Sequence, residues 1–257
     1  WAMTSANYGG VGVGGLATAG GLGWLVRQHG LTIDHVVAAE VVLADGRIVR
    51  ADERSHPELF WAVRGAGFMI GVVTAFEFRV FQLPRIVFAT VTFDATDTPA
   101  LIQRWAELMA LAPRELTTFL WLVPASRTQP PIGQLYAVFA SDDVDRAGTA
   151  LAPFLRLGPV LDQRAVLVPY ASLVPPMQEL HVGQQTVKIR NGFLDRPSGD
   201  DARAVAELLG QRPTVLVELR SMGGAAAEVD PLATAFAHRA QEVWVAAWFQ
   251  PVPVEEQ

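Results

Sequence analysis

Glycine is the most concentrated chemistry-bearing residue in this chain. Residues 9–23 hold eight of them: Gly9, Gly10, Gly12, Gly14, Gly15, Gly20, Gly21 and Gly23. A backbone this bare can approach a ligand closely and offer it N–H groups, which suits anionic groups such as phosphate. It can equally be a tight loop that needs positive φ. Gly65-Ala66-Gly67-Phe68-Met69-Ile70-Gly71 is a second cluster. The first cluster is neither a dinucleotide fingerprint nor a P-loop, because Gly12-Val13-Gly14-Gly15-Leu16-Ala17 runs into more glycine rather than a helix and no Gly-Lys-Ser/Thr occurs. The absence of cysteine excludes disulfides, thiolate metal sites and cysteine nucleophiles. His29, His35, His56, His181 and His238 show no metal-binding spacing, so no metal is expected. Without a Gly-x-Ser-x-Gly elbow, serine hydrolysis also fails.

The elements that must hold these glycines follow from periodicity and punctuation. Leu22 to His29 predicts a short helix closed by Gly30, with Arg27 and His29 at its cation-favouring end. Residues 36–43 predict an apolar strand, Asp45-Gly46 a hairpin turn, and Arg47-Ile48-Val49 the return strand. Ser55 is the expected N-cap of a helix carrying Pro57 and Glu58 in its first turn and ending at Gly65. In the strand from Val72 to Phe81, Thr74, Phe76, Phe78 and Val80 are expected on a buried face. Beyond Pro84 the rhythm changes. Strands are expected at Ile86–Phe93, Thr117–Val123, Gln134–Phe139, Thr214–Leu219 and Glu242–Phe249. Helices are expected after a Thr98 cap with Pro99, at Asp142–Leu155 with Ala147, Leu151 and Leu155 inward, and at Asp200–Leu209. Interspersed strands and helices predict an α+β chain, its second part an antiparallel sheet covered by helices on one side. The expected boundary puts residues 1–85 in one domain and 86–257 in the other.

Composition narrows the class further. Hydrophobic residues make up 51% and charged residues 18%, which excludes global disorder. With 20 basic and 26 acidic residues the net charge is −6, against the basic stripe that nucleic-acid binding needs. No apolar run is long enough to span a membrane. Trp1-Ala2-Met3-Thr4-Ser5-Ala6-Asn7 lacks the charged start of a signal peptide; the lack of cysteine fits either redox compartment, so the setting stays open with a cytoplasmic one favoured.

Several of these segments, in order and at fixed spacing, resemble the FAD-linked oxidases of the berberine-bridge type, which carry a vanillyl-alcohol-oxidase-like, PCMH-type flavin fold. They are Gly12-Val13-Gly14-Gly15-Leu16, then Gly20 through Leu31, Asp34, Val41 through Arg47, Glu58 through Gly65, and Gly71 through Phe78. Met222-Gly223-Gly224-Ala225 and Thr234 through Arg239 look like that family's substrate domain. The resemblance implies residues 1–85 as the second half of an FAD-binding domain and 86–257 as a substrate-binding domain. Gly12, Val13, Gly14, Gly15, Gly20, Gly21 and Gly23 would then crowd the FAD pyrophosphate and isoalloxazine, with Gly71 and Val72 near the adenine-bearing half. Phe60 and Trp61 are expected in the core, and His238 with Arg239 as loop organisers. The implied activity is FAD-dependent oxidation of a small organic substrate with oxygen as acceptor. The implied partners are that substrate and an N-terminal subdomain of the same protein, since the chain looks truncated at both ends.

The departures from the family pattern set further expectations. Tyr8 stands where doubly linked members carry a flavin-bonding cysteine, and no histidine matches the other link, so FAD is expected to be non-covalent. Phe68, Met69 and Ile70 replace a glycine, an asparagine and a phenylalanine. That leaves open a non-catalytic binding or scaffold protein with a remodelled cofactor site. No catalytic base is assigned. Tyr136, Lys188, Arg190 and Glu218 are the substrate-pocket candidates on the sheet face. Each also has a plain reading, Tyr136 as a half-buried strand tyrosine, Glu218 and Arg190 as rim charges, and Lys188 as a solvent-facing lysine.

Overall fold

The described residues of this computed structural model, 1–174 and 187–250, divide into two units. The first takes in residues 1–86, 169–174 and 223–240, and the second residues 87–168, 187–222 and 241–250. His181 and residues 251–257 lie outside the described part.

In the first unit, β1 (Val36–Val42), β2 (Ile48–Ala51) and β3 (Val72–Phe78) form a sheet of order β2-β1-β3 with both pairs antiparallel. The Asp45-Gly46 turn forms as expected, with Gly46 at φ +82° and the Asp45 carboxylate accepting from the Arg47 amide at 3.0 Å. Its helices include α1 (Val13–Ala19), α2 (Val26–His29) and α3 (Pro57–Ala66), and Ala225–Glu228 adds a further short helical turn. Ala17 of α1 and Phe60 and Val63 of α3 are buried against Ala39, Val41 and Ala51.

Local expectations are corrected at several ends. The stretch between the glycines is helical after all, because Leu16, Ala17 and Ala19 favour helix, and within it Thr18 Oγ1 donates to the Gly14 carbonyl at 3.0 Å. Leu22–Leu25 stays outside α2. His56, in the left-handed region at φ 56°, precedes α3, and the Asp52 carboxylate takes the Ser55 amide at 2.8 Å instead. Thr74 is the extra residue of a bulge, because Glu40 pairs with Ala75 while Val41 pairs with Val73. It is exposed and gives its hydroxyl to Glu40 Oε1 at 2.6 Å.

The second unit is built on β4 (Arg85–Asp94), β5 (Leu116–Val123), β6 (Ile132–Phe139), β7 (Val160–Pro169), β8 (Lys188–Leu194), β9 (Thr214–Ser221) and β10 (Val243–Phe249). Their order is β7-β4-β6-β5-β9-β10-β8, and the pairs β4–β6, β6–β5, β5–β9, β9–β10 and β10–β8 are antiparallel. One face is packed by α4 (Thr98–Leu111), α5 (Val144–Leu151) and α6 (Gly199–Gly210) around Phe93, Leu101, Trp105, Leu120, Leu135, Val205 and Val217. Such an all-apolar layer, with each large side chain worth roughly 1.5–3 kcal/mol on burial, is the main stabilising element of this unit. Its largest member, Trp105, also gives its indole N–H to Thr118 Oγ1 at 2.8 Å.

The N-cap of α4 is Asp97, accepting from the Ala100 amide, not Thr98, whose hydroxyl is used on the Ala95 carbonyl at 2.6 Å. The helix expected to reach Leu155 stops at Leu151 and tightens into a 3₁₀ turn over Ala152–Arg156, where Pro153 cannot continue the hydrogen-bond ladder. Leu155 is accordingly exposed.

Candidate functional site

The glycines of the first unit divide into two groups by what a β-carbon would meet. At Gly23 it would lie 1.8 Å from the Ser5 carbonyl oxygen, at Gly21 2.2 Å from Thr32 Oγ1, at Gly20 2.8 Å from the Phe236 ring, and at Gly71 2.5 Å from the Val42 carbonyl oxygen. These four positions are glycine because the chain's own packing leaves no room. At Gly12, Gly14 and Gly15 an added β-carbon would meet nothing within 4 Å among the described residues beyond its chain neighbours and the helix's own backbone. Their backbone is exposed, as are the side chains of Val13 and Tyr8, and Val72 is exposed beside Gly71. Of the departing residues, Ile70 packs against the core of the unit, whereas Met69 is 81% exposed.

The crowded glycines are shaped around residues from far along the sequence. Phe236 lies against Gly20 and Gly65, and the Gly224 backbone sits over Arg27, where a β-carbon would be 2.3 Å from the Arg27 carbonyl oxygen. Arg239 is fully buried and forms a two-bond pair with Asp34, 2.8 Å on each oxygen, with a third bond to Thr234 Oγ1 at 2.8 Å. Arg239 therefore organises this segment, as expected of a loop organiser, but it does so within the first unit. Trp61 is 43% exposed and not in the core, and its indole N–H holds the Leu232 carbonyl at 2.8 Å.

A buried histidine supports the start of the same unit. His35 Nε2 lies 3.3 Å from the Thr4 amide and 3.2 Å from the Thr4 hydroxyl, which itself donates to the Gly30 carbonyl at 2.6 Å. Burial lowers the His35 pKa to about 4, with Asp34 opposing and His29 and Arg79 adding to the shift. Among the described residues no cluster could hold a metal ion.

In the second unit, alternation along the strands leaves a second sheet face, opposite the apolar core, that carries aromatic and polar side chains. Cross-strand register puts Tyr136, Phe119, Arg220 and Trp244 in one row and Gln134, Trp121, Glu218 and Ala246 in the next. Glu218 is fully buried and accepts from Trp121 Nε1 at 2.7 Å, from Arg220 Nε at 2.7 Å and from Arg220 Nη2 at 3.1 Å. The Arg220 guanidinium lies 4.8 Å from the Phe119 ring centre and 4.7 Å from that of Trp244. Trp121 meets Tyr136 edge to face at 5.0 Å, and burial, with Glu218 adding, raises the Tyr136 pKa. Thr92 Oγ1 donates to Gln134 Oε1 at 2.8 Å.

Of the four pocket candidates, Tyr136 and Glu218 are thus brought together. Lys188 and Arg190 are not. Both are exposed on the edge strand β8, in register with Phe249 and Ala247, and so share the face of the helix-covered core. Sequence reasoning passed over Trp121, Arg220 and Trp244. The signal that could have found them is the two-residue spacing of Phe119 with Trp121 and of Glu218 with Arg220, which places each pair on one face of its strand.

Residues 2–52 match the family described as FAD binding domain. The xylooligosaccharide oxidase of Thermothelomyces thermophilus is 40% identical over 100 residues, covering 38% of this chain and 20% of that protein. An FAD-linked oxidoreductase of Aspergillus ruber is 31% identical over 166 residues, covering 65% of this chain and 31% of that protein. Among solved structures, the berberine-bridge-enzyme-like protein 1 of Physcomitrella patens superposes with a TM-score of 0.86 at 18% identity, over 99% of this chain and 58% of that one. A chitooligosaccharide oxidase gives 0.84 at 22% identity, over 98% of this chain and 57% of that one. The matched region thus spans about a fifth to a third of these curated relatives, and this chain spans under three fifths of these solved structures. Over residues 2–52 the chain thus matches an FAD binding domain, and over nearly all of its length its fold is similar to that of a berberine-bridge-enzyme-like protein.

Proposed function

We propose that this chain is part of an FAD-dependent oxidoreductase that oxidises a small organic molecule, with oxygen as the acceptor. The observation that carries the reading is the exposed backbone at Gly12, Gly14 and Gly15. These glycines have no internal packing reason to lack a side chain, in a segment that matches an FAD-binding family. Bare backbone open to approach is what a phosphate-bearing cofactor uses. Gly12, Val13, Gly14 and Gly15 would touch FAD, while Gly20, Gly21, Gly23 and Gly71 hold the loop in shape and Val72 presents an apolar surface beside it. When bound, FAD supplies acceptance of a hydride from a substrate C–H bond, and oxygen restores it. Tyr8 offers no thiol for attachment, which favours non-covalent binding.

On the second unit, Tyr136, Trp121 and Trp244 would bind the substrate through ring faces, with Gln134 supplying hydrogen bonds. Relatives named as oligosaccharide oxidases make a small carbohydrate the first substrate class to try. The test is flavin content. Protein purified intact should be yellow and should release free FAD when acid-precipitated. Glycine-to-alanine change at Gly14 should lower FAD affinity without unfolding the protein. A purified protein that stays colourless and takes up no added FAD would end the proposal.

A further inference from the structure

The buried carboxylate of Glu218 invites assignment as the proton acceptor of an oxidase site, but its surroundings argue for a different task. Both oxygens are engaged, one by the Trp121 indole and Arg220 Nε and the other by Arg220 Nη2. The side chain is fully covered, and its partner Arg220 is only 14% exposed. Removing such a proton acceptor from its ion pair leaves a buried charge uncompensated, so the pair is a poor reservoir for protons moving in a reaction. The guanidinium in turn lies between Phe119 and Trp244, held by the register that sets all three directly across from one another.

We infer that Glu218 is a positioning residue: its carboxylate clamps the Trp121 indole and the Arg220 guanidinium, fixing the aromatic side chains of two neighbouring rows around an ion pair. The inference rests on the reading of this sheet face as the substrate surface and deepens it. Trp121 cannot turn without breaking its bond to Glu218, and Trp121 is what meets Tyr136 edge to face. Glu218 and Arg220 pair with each other among these rings. The face therefore selects a neutral molecule with flat apolar faces, such as a sugar or an uncharged aromatic ring, over a carboxylate- or phosphate-bearing one.

The test reads the clamp directly, in the intact protein, through two signals that need no turnover. The Trp121 indole N–H, assigned by its disappearance in Trp121→Phe, should exchange with solvent at least about tenfold slower than exposed indoles, as a buried hydrogen bond requires. It should lose that protection in Glu218→Ala and keep part of it in Glu218→Gln, which retains an acceptor. The Tyr136 phenol, assigned with Tyr136→Phe, should titrate at lower pH in both Glu218 variants than in the parent. In turnover, Glu218→Gln should raise KM more than it lowers kcat and leave the shape of the pH profile unchanged.

Unaltered indole exchange and Tyr136 titration in both variants would overturn the proposal. So would a fall in kcat of about a thousandfold in Glu218→Gln with loss of one limb of the pH profile, the mark of a general base. If Glu218→Ala does not fold, Glu218→Gln carries the comparison alone. Absence of flavin would count against the oxidoreductase reading, while the indole and tyrosine signals would still decide the clamp.

Discussion

Acid should weaken the first unit through His35, and the size of the effect follows from where that side chain sits. Its ring is 1% exposed, and Nε2 faces the Thr4 amide, a donor that requires an unprotonated nitrogen. A histidine whose folded pKa lies near 4, against 6.5 when unfolded, binds its proton more readily in the unfolded chain. Its contribution to stability is therefore complete above the unfolded value and is lost as the pH falls from about 6.5 through 4. At 1.36 kcal/mol per pH unit the whole effect is about 3 kcal/mol, of which about 2 kcal/mol disappears between pH 8 and pH 5. The perturbation is His35→Gln, which keeps a hydrogen-bond acceptor for Thr4 but does not titrate. Denaturant unfolding at pH 8 and pH 5 should show the parent losing about 2 kcal/mol more than the variant across that interval. Equal losses in parent and variant would refute the reasoning, because the carboxylates common to both would then account for all the acid sensitivity.

Three further outcomes are expected. Arg239→Ala strands Asp34 without its buried partner and should cost about 3–5 kcal/mol in denaturant unfolding. Gly23→Ala, facing the Ser5 carbonyl, should destabilise by at least about 1–3 kcal/mol, whereas Gly12→Ala should stay within about 1 kcal/mol of the parent in the same assay. Asp97→Ala should lower stability by about 1 kcal/mol through the lost cap of α4, which thermal unfolding can resolve.

Much of the fold is legible in the sequence because its signals are local. The hairpin at Asp45-Gly46, the strands around Val41, Val91 and Leu120, and the helix over Leu101 and Trp105 follow from period and turn chemistry alone. The two strands that the sequence hides are both at sheet edges. β7 carries Asp162, Gln163 and Arg164 in an almost wholly exposed run, and β8 contains Asn191-Gly192, a turn signal overridden here by full pairing with β10. Long-range packing is hidden for a different reason. Nothing near residue 20 indicates that Phe236 will lie against Gly20 and Gly65, or that Arg239 will reach Asp34, so residues 223–240 were expected with the second region and instead pack in the first unit. The aromatic and polar sheet face of the second unit is half legible. Tyr136 and Glu218 stand out as polar residues in apolar strands, but the clamp through Trp121 and Arg220 needs the register between β5 and β9, which no local pattern specifies.

The central claim is that the open glycine backbone receives FAD, and equilibrium binding of FAD tests it most directly. Intact protein freed of any flavin should bind added FAD and take on its visible absorption, with Gly14→Ala binding at least about tenfold more weakly at unchanged thermal stability, a loss of about 1.4 kcal/mol. Parent protein that remains folded but binds no FAD, or a Gly14→Ala variant that binds it equally well, would contradict the account.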